Sequence, residues 1–342
     1  MDFSEYDPTP NKEELWQVLE ADQQAPDAKQ RPLLAGLSVA EQERLAQAWP
    51  QLPPTARRQL LAALIELAED DFALDFRAVF TLALADPDGR VRATAINGLW
   101  EEQDVRLISQ LGRFLLEDEV EEVRLAAAQA LANFILLGEL QKIPPLFFEK
   151  AYQFLLTAHR NPAETLEVRR RALESLAYAG QPEMPALIQA AYQDPAEKMR
   201  ISALFAMGRS ADRRWNATVT QHLASANPAM RYEAVRACGE LAIREALPEL
   251  IELIQDVDVE IQQTALWAVG QIGGERAHRT LQRYQSSENE LWQTAADDAL
   301  QELEFLHGNL NKFYDSPERF NGEGELSWEE EWHPWRRPEN DI

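Results

Sequence analysis

Phe205, Arg236 and Trp267 follow one another at intervals of 31 residues. Two aromatic faces and a guanidinium are groups suited to recognition. Trp, Tyr and Arg carry a disproportionate share of the binding energy at protein interfaces, and guanidinium groups stack on aromatic rings. Residues at related spacings extend the set. Glu174 precedes Phe205 by the same interval, Arg170 and Tyr232 lie four residues before slots of this series, and Tyr178 and Arg209 lie four residues after. The predicted partner-binding stripe is therefore Arg170, Glu174, Tyr178, Phe205, Arg209, Tyr232, Arg236 and Trp267. Within it, Arg170, Arg209 and Arg236 are expected to form a positive track. The alternative is that each pairs with a neighbouring acid such as Glu174, Glu233 or Glu240, where an exposed pair contributes only about 0–1 kcal/mol.

Signals for catalysis are sparse. His159, His222, His278, His307 and His333 are scattered, and none forms a helical-spaced metal pair with another His or with Cys. Cys238 falls on an apolar slot, whereas a reactive thiol needs an exposed electropositive setting. Gly273-Gly274 reads as a helix C-cap and not as a phosphate loop, since no Gly-Lys-Ser/Thr follows. Acid pairs such as Glu101-Glu102, Glu121-Glu122 and Asp297-Asp298 read as solvated faces, and Trp100, next to Leu99, is expected to pack on an edge. The expectation is a protein without catalytic residues, cofactor or metal, and not an enzyme.

The chain has 342 residues, 45% hydrophobic content and a formal charge of −25. That sign argues against a general nucleic-acid binder, because phosphate neutralisation needs clustered Lys and Arg, and equally against anionic lipid. One cysteine excludes an intramolecular disulfide. The N-terminal MDFSEYDPTPNKEEL is acidic and is not a signal peptide. The apolar stretch 143–156 is interrupted by Pro144, Pro145, Glu149 and Lys150 and is too short to span a bilayer. A cytoplasmic protein is expected, with no membrane and no nucleic-acid partner.

The frame that positions the stripe is a repeat. Arg92, Arg124, Arg169, Arg200 and Arg231, then Gln262 and Gln293, recur at steps of 32, 45, 31, 31, 31 and 31 residues. Alanine follows each by three positions, as Ala95, Ala127, Ala172, Ala203, Ala234, Ala265 and Ala296, and an apolar residue follows by seven. Such a period with an internal helical pattern marks a stacked-repeat solenoid. No run alternates with period two, so no strand is expected. The predicted fold is an all-α, right-handed solenoid of about seven to eight helix pairs. At about 100° per residue, the slots one before and three, four, seven and ten after the anchor form the core. The slot five after it, holding Asn97, Gln129, Glu174, Phe205, Arg236, Trp267 and Asp298, falls opposite.

Three regions follow. Residues 1–52 form a flexible start and a helical cap, with helices near Lys12–Asp22 and from Ser38, where Ser38 and Glu41 have capping-box spacing. Residues 53–306 form the solenoid, in which Leu247–Gln255 and Val259–Ile272 make one unit. The long step between Arg124 and Arg169 predicts an extended repeat with an inserted loop and a longer first helix, Leu146–His159. Residues 307–342 form an acidic tail carrying Trp328, Trp332 and Trp335. The segment Trp328-Glu329-Glu330-Glu331-Trp332 is expected to fold back on the arginine track and compete with the partner.

The second-helix pattern Asp86-Pro87-Asp88-Gly89-Arg90-Val91-Arg92-Ala93-Thr94-Ala95, repeated as Asn227-Pro228-Ala229-Met230-Arg231-Tyr232-Glu233-Ala234, resembles the HEAT repeat. It is similar in particular to the short HEAT-like variety of bacterial repeat proteins and phycobilin lyase subunits. The resemblance implies a concave surface lined by second helices, and a ladder of loop aspartates and helix arginines between neighbouring units. Asp86, Asp118, Asp194 and Asp256 each stand six residues before the anchor slot, where Gln262 departs from arginine. The function this suggests is a scaffold or adaptor that binds a protein or peptide in its concave groove. The alternatives are a bilin- or cofactor-handling lyase or chaperone subunit, and an acidic nucleic-acid mimic that binds a basic protein.

Overall fold

The computed structural model describes residues 11–21 and 24–314, with side chains through Leu306. Among these residues there are 17 α-helices and no strand. Seven successive pairs run from Arg77–Ala83 with Gly89–Gly98 to Glu275–Gln285 with Glu290–Tyr314, and Val39–Ala48 with Pro54–Asp70 precedes them as an eighth. Each second helix packs on the second helix of the next repeat, which produces a continuous inner layer. The chain is an all-α solenoid. No helix among the described residues is long and apolar enough to cross a membrane.

Local chemistry explains where the second helices begin. Before several of them a short polar side chain ends the turn and accepts from the first free N–H groups of the helix, whereas Val120 and Ala196 occupy that position before two others. Asp88 accepts from the Val91 N–H, Thr165 from Val168, Asn227 from Ala229 and Met230, and Asp258 from Glu260. At the cap, Ser38 and Glu41 form the full reciprocal box. The core slots behave as the periodicity requires: Ala203, Leu204, Met207, Ala234, Val235, Cys238, Ala265, Leu266 and Val269 are all fully buried. The unit 259–272 has the expected bounds, while its first helix is shorter, Leu247–Leu253.

Two expectations are corrected. The extra residues of the long repeat do not form an inserted loop; they lengthen helices. Glu121–Glu139 has 19 residues where Pro228–Glu240 has 13, and Pro145–Arg160 has 16. Good helix formers without an internal Pro continue a helix for as long as there is core to cover, and Phe134, Ile135 and Leu137 are buried. The last helix also runs past Leu306 to Tyr314. Trp328, Trp332 and Trp335, and hence the fold-back of the tail, lie outside the described residues.

The ladder forms at two steps, while Arg169, whose counterpart would be Asp194, donates instead to the His159 carbonyl at 3.1 Å. Arg92 makes a bidentate contact to Asp118 of the next repeat, with Nη2–Oδ1 at 2.8 Å, while its Nη1 donates to the Asp86 carbonyl at 2.8 Å. Arg231 repeats this with Asp256 at 2.9 Å and the Ser225 carbonyl at 2.7 Å. Arg124 reaches Glu164 instead, at 3.0 Å. Gln262 keeps the arrangement without charge, since its amide donates to the Asp256 carbonyl and accepts the Trp292 indole N–H at 2.7 Å. Asp86 is turned towards the cap, where it receives Arg57 and the Trp49 indole N–H.

Candidate functional site

The slot five residues after the anchor is less open than helix geometry alone suggests. Glu174 and Arg236 are buried, and Phe205 and Trp267 are half-buried. The cause is close approach of the second helices. A Cβ on Gly208 would meet the Ala237 Cα at 2.9 Å, one on Gly239 the Ala268 Cα at 2.9 Å, and one on Gly270 the Ala299 carbonyl oxygen at 2.8 Å. Three glycines at the same register therefore let neighbouring helices touch backbone to backbone, and the Trp267 ring lies over Gly239.

Two polar clusters stand on this layer. In the first, Arg170 pairs with Glu167 at 2.6 Å and donates to the Ser202 hydroxyl at 2.9 Å; Ser202 donates in turn to Glu174 at 2.6 Å, which also pairs with Arg171 at 2.9 Å. In the second, the Arg236 guanidinium lies 4.2 Å from the centre of the Phe205 ring. It is held by Glu233 at 2.8 Å and by Glu240. Arg209 reaches Glu240 at 3.2 Å and lies 5.5 Å from the Tyr178 ring and 5.6 Å from Phe205. Burial pushes the Glu233 and Glu240 carboxyls up, and Arg236 pulls both the other way. The three arginines are thus paired with acids, and the expected free positive track is corrected to a compensated network. For Arg170 and Arg236 the partners lie three and four residues away on the same helix, while Arg209 finds Glu240 on the next second helix.

What remains open is the next slot around the helix. Tyr232, Trp267, Gln263 and Thr264 line a depression of about 340 Å³ together with Arg209, Arg236 and Glu240. The stripe therefore divides. Tyr232, Arg209 and Trp267 face a usable surface, Arg236, Phe205 and Glu240 brace it from behind, and Arg170 and Glu174 belong to the separate Ser202 cluster. Sequence reasoning missed Ser202, the spacing glycines and Gln263. It also missed a depression of about 570 Å³ on the N-terminal second helices, where Asn97 and Gln129 occupy the same slot and Trp100 and Tyr178 form walls.

The other chemistry-bearing groups are built into the fold. Cys238 is fully buried, with its thiol pushed up to about 12 by burial. His159 is buried, hydrogen-bonded to the Arg169 carbonyl at 3.0 Å and lowered by desolvation. His222 meets the Tyr192 hydroxyl at 2.8 Å and is likewise lowered by desolvation. Among the described residues no group of three or more His, Cys, Asp or Glu is placed to hold a metal ion.

Paired helices on one register, capped by turn Asp and Asn and tied by an Arg–Asp ladder, define a helical-repeat protein. The family model for HEAT repeats matches residues 76–165 and 216–301, and the chain belongs to that family. A curated relative, deoxyhypusine hydroxylase of Eremothecium gossypii, is 28% identical over 205 residues, covering 52% of this chain. The chain spans 62% of that relative's length. Similar solved structures include human deoxyhypusine hydroxylase in complex with glycerol (19% identity, TM-score 0.34, covering 78% of this chain and 96% of that one). The Kap95:Nup1 complex gives 12% identity and a TM-score of 0.48, covering 87% and 47%. Importin beta gives 13% identity and a TM-score of 0.46, covering 85% and 44%. At these identities and TM-scores the solved structures carry nothing about activity or partner to this chain. The expectation that the protein is not an enzyme is corrected by the curated relative, which is one, although identity is only 28%. The physical reason is that a helical-repeat fold carries catalytic and binding sites alike, so fold alone does not decide between them.

Proposed function

We propose that the concave layer of second helices binds a polypeptide partner, with Tyr232, Arg209 and Trp267 as its contact residues. One observation carries this reading. Two half-exposed aromatic rings and a guanidinium edge a depression whose rear wall is fixed by the Arg236–Glu233–Glu240 network. Rigid aromatic anchors with their polar neighbours already paired lose little freedom on binding. Because the arginines are compensated, contact is expected to depend on apolar burial more than on salt. The reading includes a cytoplasmic setting and the three-region division of the chain.

A photo-crosslinking amino acid at exposed Gln263 tests it. Crosslinks to a single polypeptide, lost in Trp267→Ala, are expected; crosslinks unchanged by that substitution refute it. A second reading, an activity like that of deoxyhypusine hydroxylase, is supported by the 28% identity to that enzyme. It is tested by incubating the purified chain with deoxyhypusine-bearing protein, and absence of conversion counts against it.

A further inference from the structure

We propose a second docking point, at the N-terminal end of the concave layer, for a cationic segment with apolar side chains. It stands apart from the Tyr232–Trp267 surface, and either can fail alone. Trp100, expected on a packed edge, is instead 56% exposed. It lines two adjoining depressions, one of about 570 Å³ shared with Ile65, Leu136 and Tyr178, and one of about 650 Å³ shared with Phe72. Phe72 is 82% exposed and Leu136 41%. Trp100 joins the two depressions, so exposed apolar side chains run from Phe72 through Trp100 to Leu136.

Charge selects the occupant. No Lys or Arg lines the depression shared with Tyr178, whereas Glu69 does. In the adjoining one Glu69 and Glu101 stand free of ion pairs among the described residues, and the single cation there, Arg77, is held by Asp75 at 2.6 Å and faces Glu102 at 3.7 Å. The surface thus offers Trp and Leu faces rimmed by uncompensated carboxylates, complementary to Lys or Arg flanking apolar residues. The same sign disfavours the alternatives. A second copy carries −25, and residues 307–342 hold nine Asp or Glu against four Lys or Arg.

The test is fluorescence anisotropy on the full chain, with a labelled peptide of Lys, Leu and Phe and a charge-matched peptide of Lys and Ser. The Lys/Leu/Phe peptide should bind, weakening by roughly tenfold or more in Trp100→Ala, as for an interface anchor, and severalfold in Glu69→Gln/Glu101→Gln. Trp267→Ala should leave it unchanged. The Lys/Ser peptide should bind at least about tenfold more weakly, lacking the apolar contacts. Trp100 and both carboxylates are on the surface, so helical circular dichroism should match wild type. Equal affinity for the two peptides, or binding indifferent to Trp100→Ala, would mean diffuse attraction to an acidic protein and would overturn the proposal. Loss in Trp267→Ala without loss in Trp100→Ala would overturn it while leaving the concave site of the other end intact.

Discussion

Replacing Asp86 with Ala should uncouple the N-terminal cap from the first repeat. The carboxylate is 4% exposed and Arg57 is 5% exposed, so the pair is shut away from water. Asp86 Oδ2 receives both Arg57 Nη1 and the Trp49 indole N–H, the latter at 2.8 Å, while Oδ1 receives the Asp88 N–H at 2.8 Å. The Arg57 Nε already lacks a partner. Removing the carboxylate strands a buried guanidinium, a loss of about 3–5 kcal/mol, and leaves the indole N–H without its acceptor. Arg57→Met should cost less, because Asp86 keeps two N–H donors. The double variant should cost less than the sum, with a coupling of about 0.5–3 kcal/mol. Urea denaturation read with hydrogen exchange over residues 49–64 is the assay, since repeat arrays can unfold region by region. An Asp86→Ala loss below about 1 kcal/mol, or strict additivity, would refute the reasoning.

Other outcomes follow from the same geometry. Gly239→Val should destabilise by about 1–3 kcal/mol through overpacking, because its Cβ position lies 2.9 Å from the Ala268 Cα; a thermal melt unchanged from wild type would contradict the close approach. Lys12, with the Ser38 hydroxyl, lowers the Glu41 carboxyl to about 2. A carboxylate lowered in the folded state adds stability that is whole above its ordinary value near 4.5 and is lost as pH falls towards about 2. Carboxyl NMR should place Glu41 near 2 and move it up in Lys12→Met. His159 is lowered by desolvation, so the unfolded chain takes up its proton first. Stability should therefore fall as pH drops below about 6.5, and this part of the slope should disappear in His159→Gln. Ser38→Ala should cost about 1 kcal/mol through loss of the capping box.

Much of the frame was legible because it is local. The arginine–alanine register located the core slots, and Ser38/Glu41 located a helix start. Asp88, Asn227 and Asp258 sit where the free N–H groups of a second helix need an acceptor. The pairing of Arg236 with Glu233 and Glu240 was also within reach, since both acids lie on the same helical turn. What could not be read depends on how one repeat settles against the next. Glycines at 208, 239 and 270 bring the backbones together, and that approach buries Arg236 and Glu174 although both fall opposite the core on a single helix. Ser202 joins Arg170 to Glu174 across 28 to 32 residues of sequence, a distance no local pattern encodes. Trp100 looked like edge packing because it adjoins buried Leu99. It lies in the turn just past the end of the Gly89–Gly98 helix, where only Leu99 is drawn into the core.

Binding at the concave surface is measured most directly by comparative affinity capture from native lysate with quantitative mass spectrometry, using wild type and Tyr232→Ala/Trp267→Ala as baits. These two rings are half-exposed and carry no ion pair, whereas replacing Arg236 would strand Glu233 and Glu240 and confound folding with binding. A polypeptide retained by wild type and lost from the double variant is expected, with retention little affected by moderate salt. An identical set of captured proteins from both baits would contradict it.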